Sequence, residues 1–220
     1  MITLAIDAST YRGTVAILQD DRLLVERAAA MRGQHAELLM PTVDETLREC
    51  GFSLRDVARV VCGAGPGSFT SLRIAASIAK GIAVGRAIPL YAVSSLALIV
   101  AGNVRDGPRG ARRYLPALDA LRGESYVAEF EHDAGAVHQV GEIRLVPNDE
   151  ITSTAAAADA RAVGPDQAEH WLPRARGVAL LGVEIEHGGA VDVAAWEPIY
   201  GRMAEAQVRW EAAHGRALPR

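Results

Sequence analysis

The sequence predicts an α/β fold that is built from two similar halves. The chain opens with a nearly continuous apolar stretch, 2–8, which is typical of a central strand with both faces buried. Strand-like and helix-like patterns then alternate up to residue 102, as in a partly parallel sheet that helices cover. The order of three strands followed by a helix begins again at residue 114, which indicates an internal repeat.

The first half has the order βββαβα, closed by a further strand and helix. Gln19-Asp20-Asp21 predicts the turn of a hairpin. Apolar residues at three- and four-residue steps predict the helices, and the first helix begins near Pro41 or is kinked there, because proline has no N–H. The predicted elements are strands at 2–8, 14–19 and 22–29, a helix at 35–50, a turn at 53–56, a strand at 58–62, a helix at 72–85, a strand at 88–93 and a helix at 94–102.

The second half repeats this order with shorter elements. The stretch before it, 105–113, holds glycine, proline and four arginines, and we expect a solvated linker there rather than a set of RNA phosphate contacts. The predicted units are 1–104, 105–200 and a closing segment at 201–220. The predicted elements are strands at 114–119, 125–132, 137–145 and 161–164, helices at 151–158, 166–172 and 175–186 (the last also fits a strand), and a helix at 202–214 that packs back on the first half.

Composition and charge limit the classes of function. The chain has 220 residues, enough for one large or two small domains, and half of them are hydrophobic. A net charge of -4 and a pI of about 5.9 disfavour a free-standing nucleic-acid-binding protein. Cys50 and Cys62 lack metal-ligand spacing, Asp7 interrupts any signal sequence, and no apolar run is long enough to cross a membrane. We therefore expect a cytoplasmic protein with free thiols and no membrane partner.

The most informative segment is 62–76, where three glycines and a proline lead from a strand into a helix. Ser68 or Thr70 is placed to cap that helix. A P-loop would need a lysine after its last glycine, the dinucleotide fingerprint meets Ser68 where it needs glycine or alanine, and the esterase motif G-x-S-x-G is not formed. A tightly packed strand-to-helix connection is the simpler interpretation, and close approach of an anion is the alternative.

The segment Gly65-Pro-Gly-Ser-Phe-Thr-x-Leu-Arg-Ile74 resembles the signature of the bacterial TsaB (YeaZ) family of tRNA threonylcarbamoyladenosine biosynthesis proteins. Ser71 and Ala75 depart from that signature, because the family usually has glycine at both positions. The resemblance covers nearly the whole chain. Its further segments are Ile6-Asp-Ala-Ser-Thr10, Gln34-His-Ala-Glu-Leu-Leu-Met-Pro41, Leu118-Asp-Ala-Leu-Arg-Gly-Glu-Ser-Tyr126, and Glu197-Pro-Ile-Tyr-Gly-Arg202 followed by Glu205-Ala206.

The resemblance implies an actin-like ATPase (ASKHA) fold of two tandem βββαβα subdomains, the second of them degenerate. In actin-like ATPases and sugar kinases an aspartate at the place of Asp7 helps to hold magnesium, and capping of a turn is the equally weighted alternative. Arg122 and Glu124 put bulk and charge where the second phosphate-binding turn would need glycine. The sequence does not establish a cofactor. We expect at most weak binding of ATP or ADP with magnesium, and no hydrolysis. The residues that would bind the nucleotide are Asp7, Ser9, Thr10, Gly65 and Gly67.

The resemblance also implies a scaffold subunit. Such a subunit holds and activates a TsaD-like catalytic subunit, which transfers a threonylcarbamoyl group to the adenosine beside the tRNA anticodon. A TsaE-like ATPase joins the assembly, and tRNA is bound only through the complex. Alone, the protein is expected to form a homodimer through the helices at 35–50 and 72–85, although on pattern alone the second would be an internal helix. The expected interface residues are Ala36, Leu39, Met40, Val43, Leu47, Leu72, Ala75, Ala76, Ala79 and Ala83.

Two enzymatic alternatives are weighed against the scaffold. A helical metal pair needs histidines four residues apart, but the residue four after His35 is Leu39. The sequence therefore predicts no catalytic residue and no metal site, and a metalloprotease finds no support in it. The main alternative is an active ATPase or small-molecule kinase of the actin-like fold, which would need magnesium held near Asp7.

Overall fold

The first half of the protein is organised around a five-stranded sheet. The computed structural model describes residues 1–31, 38–104, 112–133 and 135–200, and the following account concerns those residues. The order of strands and helices predicted for this half is confirmed. Its elements are the strands β1 (Ile2–Asp7), β2 (Arg12–Gln19), β3 (Arg22–Ala30), β4 (Val57–Gly63) and β5 (Leu90–Val93), and the helices α1 (Leu39–Glu49), α2 (Phe69–Arg86) and α3 (Ser95–Asn103).

β1 is the central strand of this sheet, whose order is β3-β2-β1-β4-β5. It pairs antiparallel with β2 and parallel with β4, and all six of its residues are buried. Leu4 and Ile6 belong to the core under α1 and α2, whereas Ala5 belongs to the core around α3. A strand with both faces covered has no polar face, which explains its nearly continuous apolar sequence.

α1 begins at Leu39, so that Pro41 lies in its first turn. The first N–H groups of a helix have no partner within it, and a proline there removes no helical hydrogen bond. Of the two possibilities left open for Pro41, the start of the helix is the one observed among the described residues. Gly51, with a φ of 75°, follows the C-terminal end of the helix.

α3 is the helix that the protein encloses completely. Residues 95–102 are all buried. The helix packs against β6, β8, β9 and β11 of the second half, and it shares one apolar core with residues of β1, β2 and β4. Ser94 caps its start by accepting a hydrogen bond from the N–H of Leu96 at 3.2 Å. From its sequence pattern alone, the helix at 72–85 was the one predicted to be buried on all sides. The structure corrects this, because α2 exposes Arg73, Ser77 and Val84 along one face.

The second half is organised around a seven-stranded sheet with the order β10-β7-β6-β11-β12, to which β8 and β9 are attached. The α/β class and the presence of two sheets confirm the predicted fold class. The number of strands in this half exceeds the prediction. Its elements are β6 (Arg112–Asp119), β7 (Glu124–Val127), β8 (Phe130–Asp133), β9 (Ala136–Gln139), β10 (Arg144–Pro147), α4 (Ile151–Ala157), β11 (Arg161–Gly164), β12 (Glu169–His170) and α5 (Gly182–Gly188).

Two predicted strands of this half are each divided in two. β7 and β8 both pair antiparallel with β6, and one register runs from Asp119↔Ser125 to Arg112↔His132 with an interruption at 128–129. β9 continues from β8, whereas β10 returns to β7, which divides the predicted strand at 137–145. The first break lies opposite Leu115 and Pro116, and a proline has no N–H to donate to a ladder. At the second break the N–H groups of Val140 and Gly141 both donate to the carbonyl of Glu129, which shifts the register.

The helix predicted at 166–172 is wrong, because this stretch forms a turn and then β12, which pairs parallel with β11. The helix predicted at 175–186 is divided into a 3-10 turn at Ala175–Leu180 and α5. The helix predicted at 202–214 and the start of the helix predicted at 35–50 lie outside the described residues.

The chain returns to the first half before residue 201. The N–H of Val191 donates to the carbonyl of Leu90 at 2.8 Å, and the N–H of Ile199 donates to the carbonyl of Ala64 at 2.7 Å. One apolar core also runs through both halves and includes Leu18. The predicted boundary at 104 stays a prediction. None of the helices in the described part of the chain combines the length and the apolar character that a membrane crossing requires.

Candidate functional site

A cleft of about 530 Å³ lies between the two sheets, where β1, β6 and β11 end. Ser9, Thr10 and Gly67 line it from the first half, and Asp119 and Leu121 line it from the second. Ligands of α/β proteins commonly bind at the carboxyl ends of strands, so this is where the predicted nucleotide contacts would be. Gly65 and Asp7, the other two residues of that prediction, do not line the cleft.

Asp7 is completely buried beneath the cleft, at the end of β1. Its Oδ1 accepts hydrogen bonds from the N–H of Ser9 at 3.0 Å and from Ser9 Oγ at 2.8 Å. Its Oδ2 accepts a hydrogen bond from Ser95 Oγ at 2.6 Å. Burial raises the pKa of Asp7, and the hydrogen bonds from Ser95 and Ser9 partly oppose that rise.

The surroundings of Asp7 join three elements of the first half. Ser95 Oγ, which donates to Asp7, itself accepts a hydrogen bond from the N–H of Gly65 at 3.1 Å. A Cβ at Gly63 would lie 2.0 Å from Asp7 Oδ2, so β4 closes over the carboxylate. The carboxylate therefore connects the end of β1, the segment 63–67 (which we call the glycine turn) and the start of α3, as a capping residue does. The magnesium role stays a prediction.

The glycines at 65 and 67 allow close contact between parts of the same chain. Gly65 has a φ of 89°, and a Cβ there would lie 2.4 Å from the carbonyl oxygen of Ile199. A Cβ at Gly67 would lie 2.2 Å from the carbonyl oxygen of Ser9, and the N–H of Ser68 donates to the same oxygen at 2.7 Å. This is the tightly packed connection that was the simpler interpretation of the sequence.

The expected helix cap after the glycine turn is not formed by a side chain. Ser68 is the N-cap residue of α2, but its side chain makes no hydrogen bond to the N–H groups of the first turn. Its Oγ instead contacts Ser71 Oγ at 3.1 Å. Ser71, which stands where the family usually has glycine, therefore stabilises the turn by a side-chain contact.

The turn that opens the second half is shaped by internal hydrogen bonds. Leu121, Arg122 and Gly123 all have positive φ, at 62°, 60° and 79°. The N–H of Leu121 donates to Asp119 Oδ1 at 2.9 Å, and the N–H of Ala120 donates to the carbonyl of Glu124 at 2.8 Å. The cleft is thus bordered on this side by a carboxylate and an exposed leucine, which do not attract a phosphate.

Most of the predicted interface residues are buried in the protein's own core. Met40 is 36% exposed, and Ala36 lies outside the described residues. A stripe at helical spacing marks the face that a helix buries, and here the sheet of the first half provides that cover. The partner surface on these helices stays a prediction, and Met40 is the one described member of the predicted set that is exposed. The buried residues are Leu39, Val43, Leu47, Leu72, Ala75, Ala76, Ala79 and Ala83.

The outward face of α2 carries a shallow groove of about 400 Å³, which we call the outer groove. Ser77, Gly81 and Gly85 form its floor at intervals of four residues, and no atom lies within 4 Å of a Cβ placed at either glycine. Met40 lies beside it, and Val84, at 68% exposure, is the most exposed of the large apolar residues described. The sequence shows that this helix is rich in small residues, but it does not show which of them are exposed. The groove is lined by Met40, Leu54, Ser77, Ile78, Gly81, Ile82, Gly85 and Arg86.

Similarity to known proteins extends over nearly the whole chain. Residues 28–170 match the family model described as "TsaD: tRNA N6-adenosine threonylcarbamoyltransferase". The chain is 31% identical to the tRNA threonylcarbamoyladenosine biosynthesis protein TsaB of Bacillus subtilis, over 96% of this chain and 98% of that protein. It is 36% identical to TsaB of Escherichia coli, over 69% of this chain and 64% of that protein.

A solved structure shows the same likeness in three dimensions. The crystal structure of a Pseudomonas aeruginosa protein, described as similar to the peptidase YEAZ, superposes with a TM-score of 0.77 at 30% identity. The superposition covers 91% of this chain and 99% of that one. Both sheets are therefore shared, and not the glycine segment alone.

Proposed function

Because the chain belongs to the TsaB family of tRNA threonylcarbamoyladenosine biosynthesis proteins, we propose that it is a non-catalytic subunit of the assembly that makes this nucleoside. In this proposal a TsaD-like subunit transfers the threonylcarbamoyl group, and the present chain holds and activates that subunit in the cytoplasm. A TsaE-like ATPase joins the same assembly. The likeness to TsaB proteins over 96% of the chain is the observation that carries the proposal.

The geometry of the cleft supports a scaffold role. The carboxylate best placed by sequence for magnesium, Asp7, is completely buried and accepts three hydrogen bonds from the protein itself. The N–H of Ser68, which a phosphate at a helix start would use, donates to Ser9. Any nucleotide in the cleft would have to compete with these contacts, so the proposal assigns the chemistry to the partner subunit.

The outer groove is our candidate for the docking surface. Small residues at Ser77, Gly81 and Gly85 let the backbone of a partner helix approach α2 closely, and Val84 offers apolar surface at the edge. Stable protein interfaces bury about 800 Å² on each partner, more than this groove alone provides. We therefore expect the contact to extend from the groove over Met40 and α1. A homodimer of the isolated protein would use the same surface.

The test is a charge placed in the groove. Gly81→Glu puts a carboxylate on its floor without a steric clash, because the space at the Cβ is open. Gly182→Glu on α5 is the matched control, since the space at its Cβ is also open and the residue lies in the second half. We expect Gly81→Glu to abolish co-elution with the TsaD-like subunit in gel filtration, and Gly182→Glu to preserve it. Co-elution of both variants at wild-type affinity would reject the groove.

Weak nucleotide binding in the cleft is the second candidate function. The volume of the cleft, about 530 Å³, and its position at the strand ends favour this function. Calorimetry with ATP and magnesium measures it directly. Micromolar binding together with turnover by the purified chain would favour the ATPase or kinase alternative over the scaffold.

A further inference from the structure

A second concave surface lies at the other end of the second sheet. β6 and β11 run parallel, and the cleft contains residues from their carboxyl ends, Asp119 and Pro165. A cavity of about 400 Å³ lies at their amino ends, where Arg112 and Arg161 are the first residues. The sequence predicts a solvated linker at 105–113 without RNA contacts, but residues 112 and 113 begin β6, so this part of the prediction is corrected. Four arginines line it, Arg112, Arg161, Arg174 and Arg176, together with Tyr114 and Trp171, and we call it the arginine pocket.

The arginine pocket concentrates positive charge in a protein that is acidic as a whole. The net charge of the chain is -4, yet none of the side chains that line the pocket is acidic. Two carboxylates behind it neutralise part of the charge: Glu169 pairs with Arg161 at 3.1 Å, and Glu26 pairs with Arg174. Among the described residues no carboxylate lies within ion-pair distance of the Arg112 guanidinium, so an excess of positive charge faces the cavity.

The arginines on the floor of the pocket are held in place by the protein. Glu26, whose side chain is 8% exposed, accepts hydrogen bonds from the Arg174 guanidinium and from the N–H of Arg176 at 3.0 Å. Arg176 Nε donates to the carbonyl of Gly102 at 2.6 Å. Guanidinium groups fixed before binding lose little conformational freedom when an anion arrives, and their planar donors match the oxygens of a phosphate.

Aromatic rings stand beside the guanidinium groups. Tyr114 is buried, Trp171 is half-buried, and their ring centroids lie 5.4 Å apart. Trp171 therefore presents a supported aromatic surface to the cavity. Aromatic side chains next to arginines are the combination with which proteins bind an unpaired nucleotide, because the base stacks while the phosphate is paired.

The positive surface is longer than one nucleotide. A second cavity, of about 290 Å³, shares Asn103 and Arg174 with the arginine pocket and adds Arg12, Arg27 and His170. Glu26, the partner of Arg174, also lines it, and Arg27 is paired with Glu49 at 2.7 Å. Two adjoining concavities with arginines in both linings favour a chain of phosphates over a single free phosphate group.

We propose that the arginine pocket and its neighbouring cavity bind the phosphate backbone of the tRNA substrate, with Trp171 against an unpaired base. This inference rests on the proposed function, because it places the tRNA on this subunit as well as on the catalytic one. It uses a surface at the opposite end of the second sheet from the cleft. Inorganic pyrophosphate and ADP, which carry the same phosphate chemistry, are the competing ligands in the test.

The experiment measures tRNA binding to the assembled complex by fluorescence anisotropy between about 50 and about 200 mM salt. The double variant Arg112→Ala/Arg161→Ala removes two guanidinium groups of the pocket. The matched control, Arg113→Ala/Arg144→Ala, removes two arginines that pair with Glu131 and Glu129 outside the pocket. Each lost contact to a single strand lowers the slope of log K against log salt by about 0.7, so we expect a reduction of about 1.4 for the first variant only.

A third variant separates stacking from charge. Trp171→Leu is expected to weaken tRNA binding by about tenfold without changing the salt slope, because it removes a ring and no charge. Equal slopes for the two double variants would overturn the inference. Loss of ADP or pyrophosphate binding in Arg112→Ala/Arg161→Ala, with tRNA binding unchanged, would replace tRNA by a free phosphate ligand and would also overturn it.

The same preparations distinguish this inference from the proposed function. Gel filtration of each double variant with the TsaD-like subunit reports assembly independently of tRNA. If both variants assemble and bind tRNA identically, only the arginine pocket is rejected. If the wild-type chain itself does not assemble with that subunit, the proposed function fails.

Discussion

A glutamate at Ala79 is expected to unfold the protein, whereas a glutamate two residues further along the same helix is expected to be tolerated. Ala79 is completely buried, in the core between α2 and the first sheet. A larger side chain there costs about 1–3 kcal/mol through overpacking. An unpaired carboxylate adds several kcal/mol, whether it remains charged or is protonated. The sum, roughly 4–8 kcal/mol, is comparable with the whole stability of a typical domain, about 5–15 kcal/mol.

Gly81 lies on the opposite, open side of α2. Replacing a glycine inside a helix by glutamate improves helix propensity by about 0.5–1 kcal/mol, so Gly81→Glu should fold at least as stably as the wild type. Guanidinium unfolding followed by circular dichroism measures both variants. If Ala79→Glu unfolds within about 1 kcal/mol of the wild type, α2 is not packed as described. The comparison also shows why a charge at Ala79 cannot test a partner surface: loss of binding there would follow from loss of the fold.

Two further predictions concern the buried groups beneath the cleft. Burial raises the pKa of Asp7 in the folded state, so the folded protein keeps this proton to higher pH than the unfolded chain. In urea unfolding, the stability of the wild type relative to Asp7→Asn should therefore fall as pH rises above about 4, the ordinary pKa of an aspartate, and an increase in that stability would contradict the assignment. Gly65→Ala puts a side chain at a φ of 89° and against the carbonyl of Ile199, and it should lower the unfolding free energy by roughly 2–4 kcal/mol and speed hydrogen exchange at the Ile199 amide. Gly81→Ala is its control, and equal stability of these two alanine variants would show that the glycine turn is not packed this closely.

The first half could be predicted from sequence because its signals are local. β1 is covered on both faces and is therefore apolar throughout, and the glycine turn marks the passage from β4 to α2. Pro41 left two possibilities for α1, and only the position of its first turn in space decides between them. The burial of α3 does have a local signal, because residues 95–102 contain no charged residue and leave no polar face, but the sequence does not show that the second sheet provides part of the cover.

The second half was harder to predict in detail because its strand ladders are interrupted. β7 and β8 follow β6 in one register, so the strand predicted at 125–132 lies along a single line, and its gap at 128–129 faces Leu115 and Pro116. Likewise 166–172 has a composition that fits a helix, and the parallel pairing of β12 with β11 overrides it. Such pairings are long-range, and propensity along the chain does not contain them.

The candidate docking surface illustrates a limit of periodicity. An apolar stripe identifies the face that a helix buries, but it does not say whether the cover is the protein itself or a partner. On α1 and α2 the stripe is covered by the first sheet. The small residues Ser77, Gly81 and Gly85 lie on the other face of α2. They can contact a partner only if they are exposed, and exposure is a property of the folded chain. The arginine pocket is hidden for the same reason, since Arg112 and Arg174 meet only after the chain has folded back.

The glycine turn resembles a phosphate-binding loop in composition, but in this structure its glycines serve close packing within the chain. Glycine is permissive because it lets backbone approach closely, and the approaching group here is the chain's own carbonyl oxygens, of Ser9 and Ile199. A carbonyl oxygen carries partial negative charge, and these two oxygens fill the space directly beside the glycines. The N–H of Ser68 already donates to one of them at 2.7 Å. A nucleotide could use this turn only by displacing those contacts, which is why the affinity of the cleft for ATP should be weak.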